Sequence, residues 1–189
     1  MRLLVSIDLV IATGVAGALD DALQPGDLVL ADRLILEAQE RDRSTPTTIA
    51  IPPADLARFH AALETRRLGF STGAILTATR ILTDGATKRN ARARTGALAV
   101  DMESAAIAAE ARQAGLQFAC VRAVLDTIDE EVVGAELAAP DGEVRPLAAA
   151  SFVLRNPAAV VGLARMMRSL KRATTSLAAA LEALIQPAA

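Results

Sequence analysis

The chain has 189 residues, 52% of them hydrophobic, and carries 20 basic against 22 acidic side chains. That is apolar material for one domain with a real core, and too much for a disordered chain. The balanced charge and the four aromatics, all Phe, exclude the basic, aromatic-backed surface of a nucleic-acid binder, and no apolar run is long enough to span a membrane.

From the N-terminus, SIDLVIA at residues 6–12 reads as a buried strand. The opening stretch MRLLVSIDLVIATG is broken by Asp8 and lacks a cleavage signature, so a buried first strand explains it better than a signal peptide, and the cytoplasm is the expected compartment. The strand runs into TGVAGALDD, read as a turn. A second strand, DLVLADRLI at 27–35, is entered through Pro25-Gly26. Residues 38–52 are polar and Pro-rich and read as a loop. Pro53 opens a helix with Leu56, Phe59 and Leu63 on one face. GAILTATRIL at 73–82 reads as a strand, DGATKRNARART as a short polar helix or a loop, and ALAV at 97–100 as a short strand. The helix DMESAAIAAEARQAG stops at Gly115, and FACVRAV at 118–124 is another buried strand. Pro140-Asp141-Gly142 marks a turn. Pro157 opens a long helix whose 3–4 seam, Val160 through Leu163, Met167, Leu170, Thr174, Leu177 and Leu181 to Leu184, needs a packing partner.

Strands alternating with helices argue for a three-layer α/β/α sandwich in which apolar strands are covered on both faces. Ligands bind such folds where strands end. Three stretches fall at those edges. TGVAG sets two glycines around Val15-Ala16; glycine lets backbone approach a ligand closely, but a lone G-x-x-G also matches many tight turns. Asp101 and Glu103 stand at a strand-to-helix junction. A carboxylate there suits the vicinal hydroxyls of a ribose, and equally suits capping of the helix start. Asp126 follows a buried strand, where partial desolvation would raise its pKa and fit it for general-acid work; a solvated acidic loop with Asp129, Glu130 and Glu131 is the alternative. Arg122, inside the strand, needs one of these acids as a partner. Cys120, the only cysteine, reads as a buried inert thiol, and His60, the only histidine, as a helix-surface or packing residue. No metal site is expected.

Taken together, GVAGALDDALQPGDLVL, AVDMESAAIAAEA and VRAVLD resemble the nucleoside phosphorylase and nucleosidase superfamily. Its members carry G-x-A-G-G-L, then G-D-[IV]-V, then D-M-E, then R-x-x-S-D, in that order. The resemblance covers residues 5–131, and the C-terminal segment looks like the hopanoid-associated phosphorylase branch. It implies a single domain over residues 1–189 with a phosphorylase/hydrolase-like mixed sheet and C-terminal helices. It implies cleavage of the N-glycosidic bond of a purine nucleoside or adenosyl-type substrate by phosphorolysis, with phosphate as co-substrate and no other cofactor. The alternatives are a hydrolytic nucleosidase, or a member that binds a nucleoside without turnover. Val15, Ala16 and Gly17 would line the base and ribose pocket, Met102 would pack on the ribose, Glu103 would bind its hydroxyls, and Asp126 would protonate N7 of the departing purine. The expected partners are a nucleoside, phosphate and further copies of the chain, with no nucleic acid. Departures from the pattern are Ala18 for the second glycine and Leu125 for the serine before the aspartate. Only 13 residues precede Gly14, fewer than the family places there, so the expectation is a chain lacking the first strand and phosphate loop.

Overall fold

The computed structural model describes residues 7–37, 47–132 and 159–185. Six strands, β1 (Leu9–Ala18), β2 (Leu28–Leu36), β3 (Thr47–Ala50), β4 (Phe70–Thr77), β5 (Ala99–Asp101) and β6 (Gln117–Asp126), form one mixed sheet. Among the described residues four helices flank it: α1 (Pro53–Thr65), α2 (Gly85–Thr95), α3 (Ser104–Gln113) and α4 (Ala159–Ile185). The expected α/β architecture is present, and the sheet also closes. Its order is β3-β2-β4-β5-β1-β6, and β6 returns to pair with β2. The early part of β2, Leu28–Leu30, pairs antiparallel with β6, and the later part, Arg33–Leu36, pairs with β3. An irregularity between Ala31 and Arg33 in the ladder with β4 bends the strand between these two pairings.

Closure follows from strands that are apolar on both faces. Side chains alternate along a strand, so Leu28 and Leu30 of β2 point to one side with Ala119, Val121 and Ala123 of β6, where they meet Phe59 and Leu63 of α1 and the inner face of α4. Val29 and Ala31, with Cys120 and Val124, take the opposite side and meet Ala105, Ala108 and Ala111 of α3. Arg122 shares the parity of Cys120 and Val124, which sends its side chain toward the start of α3.

Several expectations are corrected. TGVAG is not a turn: Thr13 to Gly17 continue β1, in parallel register with Val121 to Asp126, because β6 supplies a hydrogen-bonding partner along that whole length. The supposed loop after residue 37 contains β3, which completes the free side of β2; residues 38–46 lie outside the described residues. The strand expected over 73–82 starts earlier and stops at Thr77, since both of its neighbours end there, at Leu36 and at Asp101. The polar segment 85–95 is a helix. Asp84 caps it by accepting from Thr87 N at 2.9 Å, and Gly96 closes it at φ 68°.

The seam expected on the last helix is rotated. Leu177 and Leu184 are buried as expected, but Leu163 is 43% and Met167 57% exposed. The buried stripe instead runs through Ser169, Ala173, Leu177, Ala180 and Leu184. Small side chains let the helix lie close to the sheet surface and to the turn before β2, where a Cβ on Gly26 would come within 3.1 Å of Arg172 Cβ. The Pro140–Gly142 turn, the Pro157 helix start and the Val160 side chain lie outside the described residues. His60 is a packing residue on α1, edge-on to Phe70 at 4.7 Å between ring centroids. Among the described residues no helix is long and apolar enough to cross a membrane.

Candidate functional site

The C-terminal ends of β1, β5 and β6 meet at one edge of the closed sheet. Gly17 is in register with Val100 on one side and with Asp126 on the other. A cavity of about 330 Å³ opens there. Its wall contains all six residues singled out from the sequence: Val15, Ala16, Gly17, Met102, Glu103 and Asp126. Asp101, Arg122 and the loop residues Arg80, Ile81 and Leu82, which follow β4, also line it. A second cavity, of about 360 Å³, shares Leu125, Asp126 and Val132 and extends toward Gly162, Met166 and Ser169 of α4.

The two acids at the β5–α3 junction separate into different tasks. Asp101 is buried. Its Oδ1 accepts from Thr77 Oγ1 at 2.9 Å and from Ser104 N at 3.3 Å, so it fastens the helix start to β4. Glu103 makes no capping hydrogen bond, although it occupies the cap position, and its side chain is 64% exposed at the cavity. Capping, one of the two roles open for this pair on sequence grounds, thus falls to Asp101 and leaves Glu103 available to a ligand.

Arg122 organises this junction. Nε and Nη2 both donate to Ser104 Oγ, at 3.1 and 2.8 Å. Nη2 lies 2.7 Å from Asp101 Oδ2, off the line of a directed hydrogen bond, and 3.6 Å from Glu103 Oε2. A guanidinium this deeply buried would be costly without such counter-charges. Room for it comes from Gly14, its register partner on β1. Cys120 lies beneath, its Sγ 3.1 Å from Ser104 Oγ, and burial pushes its thiol up to about 11.

Asp126 is more protected than Glu103, with 21% of its side chain exposed. Burial raises its carboxyl above the usual aspartate range. The charge and hydrogen bond of Lys88 oppose that rise, and the nearby Glu130 adds to it. No sequence pattern singles out Lys88, which sits in a segment that reads as uniformly polar. Its side chain is 1% exposed; Nζ donates to Asp126 Oδ2, to Thr127 O at 2.8 Å and to Glu130 O at 2.8 Å. The available signal was weak: one lysine at helical spacing from Ala91, the other buried residue of α2.

Taken as a whole, the cavity presents an apolar wall from β1 and Met102, an exposed carboxylate set beside a fixed guanidinium, and a desolvated carboxyl. Such a wall suits a flat heterocycle, the exposed carboxylate a diol, and the desolvated carboxyl a proton transfer. Among the described residues no cluster of three or more His, Cys, Asp or Glu side chains is placed to hold a metal ion.

Solved structures share this fold. The 5'-methylthioadenosine/S-adenosylhomocysteine nucleosidase of Helicobacter pylori superposes with a TM-score of 0.68 at 17% identity, over 93% of this chain and 66% of that one. The futalosine hydrolase of H. pylori gives the same TM-score, identity and coverage. The S-adenosylhomocysteine nucleosidase of Streptococcus pyogenes superposes with a TM-score of 0.61 at 25% identity, over 95% of this chain and 69% of that one. The chain thus spans just under two thirds of the length of the two H. pylori proteins. No curated protein matches it by sequence. These structures correct one expectation. They are nucleosidases and a hydrolase, enzymes whose co-substrate is water, so phosphate is withdrawn both as co-substrate and as partner. The sequence profile of the Phosphorylase superfamily matches residues 1–153, well over half of the chain, and the protein belongs to that superfamily.

Proposed function

We propose that the chain binds a purine nucleoside or an adenosyl-type nucleoside and cleaves its N-glycosidic bond by hydrolysis. The observation that carries this reading is the convergence of Glu103 and Asp126, from two different strand ends, on one cavity floored by Val15, Ala16 and Gly17. The similar solved structures, nucleosidases by name, support water as the acceptor.

In this reading the base lies against Val15, Ala16 and Gly17, Met102 packs on the ribose, and Glu103 accepts from its 2′- and 3′-hydroxyls. Asp126 donates a proton to N7. As the C1′–N bond breaks, its electron pair moves into the base, and a cation-like ribosyl group forms; water bonds to C1′ and loses one proton to solvent, from which Asp126 is reprotonated. The protein's contribution is leaving-group protonation and stabilisation of developing charge. The resemblance of the C-terminal segment to hopanoid-associated members makes an adenosyl group carrying a bulky apolar 5′ substituent the finer substrate reading. The second cavity beyond Asp126 gives such a substituent space. Self-association belongs to the same reading, because Val161, Leu163 and Met167 leave an apolar strip on the outer face of α4.

The test is incubation of the full chain with adenosine, methylthioadenosine and an adenosyl-lipid analogue in phosphate-free buffer made with H₂¹⁸O. Free base and ¹⁸O-labelled sugar are the expected products. Nucleoside binding without base release would leave a binding protein in place of an enzyme. Absence of both binding and release would end the reading.

A further inference from the structure

We propose that Lys88 is a positioning residue of this site: its ammonium holds Asp126 through Oδ2, leaves Oδ1 for the nucleoside, and stabilises the carboxylate that forms when Asp126 gives up its proton. The proposal rests on the reading of Asp126 as the group that protonates the leaving base.

A lysine with 1% of its side chain exposed is uncommon, because removing an ammonium from water is costly unless all its donors are matched. Here they are matched. Three N–H groups meet three acceptors, the Asp126 carboxylate and the carbonyls of Thr127 and Glu130. The two carbonyls would be enough to clamp the 127–130 turn onto α2. The third contact goes instead to Asp126, a largely buried carboxyl on the cavity wall; Asp101, the other buried carboxyl there, is paired with Arg122.

The charges around Asp126 make this contact decisive. From α2 comes Lys88 alone; Arg89, the next residue, is turned to Asp129. From the following turn comes Glu130, of like charge, itself approached by Arg165 of α4 at 3.8 Å. Asp101, Glu103, Arg122 and Arg80 share the cavity wall, with Arg122 committed to Asp101 and Ser104. β1 contributes only Gly17, whose missing side chain leaves the carboxylate space: a Cβ there would lie 3.2 Å from Oδ2. Lys88 is therefore the cation in direct contact with Asp126.

Its effect depends on the state of the reaction. In the proton transfer the Asp126 O–H bond breaks, an N7–H bond forms, and the glycosidic electron pair passes to the base. Asp126 ends as a carboxylate. The attraction between Lys88 and Asp126 is weak while the carboxyl is neutral and strong once it is charged, so it grows along the reaction and lowers the barrier rather than the ground state. Burial strengthens the hold of Asp126 on its proton, and the charge of Lys88 opposes that rise.

The experiment is a ¹³C NMR titration of the Asp126 carboxyl in the full chain and in Lys88→Met, alongside the pH profile of base release. In the variant, burial is opposed by no cation, so the Asp126 midpoint is expected to rise by about one unit or more. The alkaline limb of the profile should rise with it. Turnover of adenosine should fall on the order of tenfold, because a weaker acid donates less readily. A riboside with a nitrophenolate leaving group, which departs unprotonated, should be little affected. A purely structural lysine would lower both substrates together and leave the midpoint where it was, and that result overturns the proposal. Should Lys88→Met fail to fold, the wild-type chain decides. The Lys88 ¹⁵Nζ resonance must shift with the Asp126 midpoint, and a resonance indifferent to it is equally fatal. If the midpoint moves but Asp126→Asn leaves base release untouched, the reading of Asp126 as proton donor is what fails, and this proposal falls with it.

Discussion

Gly14 and Arg122 face each other across the β1–β6 ladder, and the guanidinium occupies the space a side chain on Gly14 would need. A Cβ there would lie 2.3 Å from Arg122 Nη1, and Gly14 has φ 154°, a conformation that residues with side chains rarely adopt. Gly14→Ala should therefore destabilise the chain by about 1–3 kcal/mol. It should also weaken nucleoside binding, because a displaced Arg122 no longer fixes the Glu103 side of the cavity. Urea unfolding and calorimetric titration check the two effects. A variant with unchanged stability would mean that the strand and the guanidinium move apart without cost.

Removing the guanidinium is expected to be worse. Arg122→Met leaves Asp101 buried without its counter-charge, and breaking one side of a buried pair costs about 3–5 kcal/mol. Asp101→Asn combined with Arg122→Met should recover part of that loss, since no lone charge is then buried. A double variant no better than the single one would show that Arg122 acts through Ser104 rather than through Asp101.

The diol assignment makes a sharper demand. Glu103→Gln preserves shape and removes the charge, and a hydrogen bond to a charged group is worth about 1.5–3 kcal/mol. Affinity for a ribonucleoside should drop by about 10- to 150-fold. Affinity for the 2′,3′-dideoxy analogue should scarcely change. Equal losses for the two ligands would place Glu103 elsewhere than on the sugar.

Asp126→Asn should fold and should lose about 10²- to 10⁴-fold in turnover, most for adenine and least for a leaving group that needs no proton. The sign of the pH dependence follows from the raised carboxyl. The active form is protonated, so activity is present at low pH and lost as pH rises through the Asp126 value, which burial holds above the ordinary aspartate range. Turnover that instead increases through that window would assign Asp126 to base rather than acid chemistry.

Cys120 offers a test of the core that is independent of function. The thiolate is the reactive form, and burial raises the thiol to about 11. At pH 8 the folded chain should react with a thiol reagent roughly a hundredfold more slowly than the unfolded chain. Because the folded value lies above the unfolded one, the stability linked to the neutral thiol is complete below the unfolded value of about 8.5. It is lost as pH rises through about 11. Rapid labelling of the native protein at pH 8 would contradict the burial of this residue.

The sequence by itself determined the alternation of apolar strands and helices, and with it the α/β class, because period-2 and period-3.6 burial leave different marks along a chain. It also marked Glu103, Asp126 and the glycine-flanked Val15–Gly17 stretch by their place at strand ends, while Met102 was marked only through the family resemblance. It could not show that TGVAG is strand rather than turn, because that depends on whether β6 lies alongside, a partner more than a hundred residues away in the chain. The closure of β6 onto β2, the burial of Lys88 and the rotation of the α4 seam away from Leu163 and Met167 were likewise settled only by the assembled fold. Local pattern reports which side chains prefer to leave water. Which charges meet once they have left, and how closely two surfaces approach, depends on small residues such as Gly14, Gly17 and Ala173, whose effect is the space they leave for something distant in sequence.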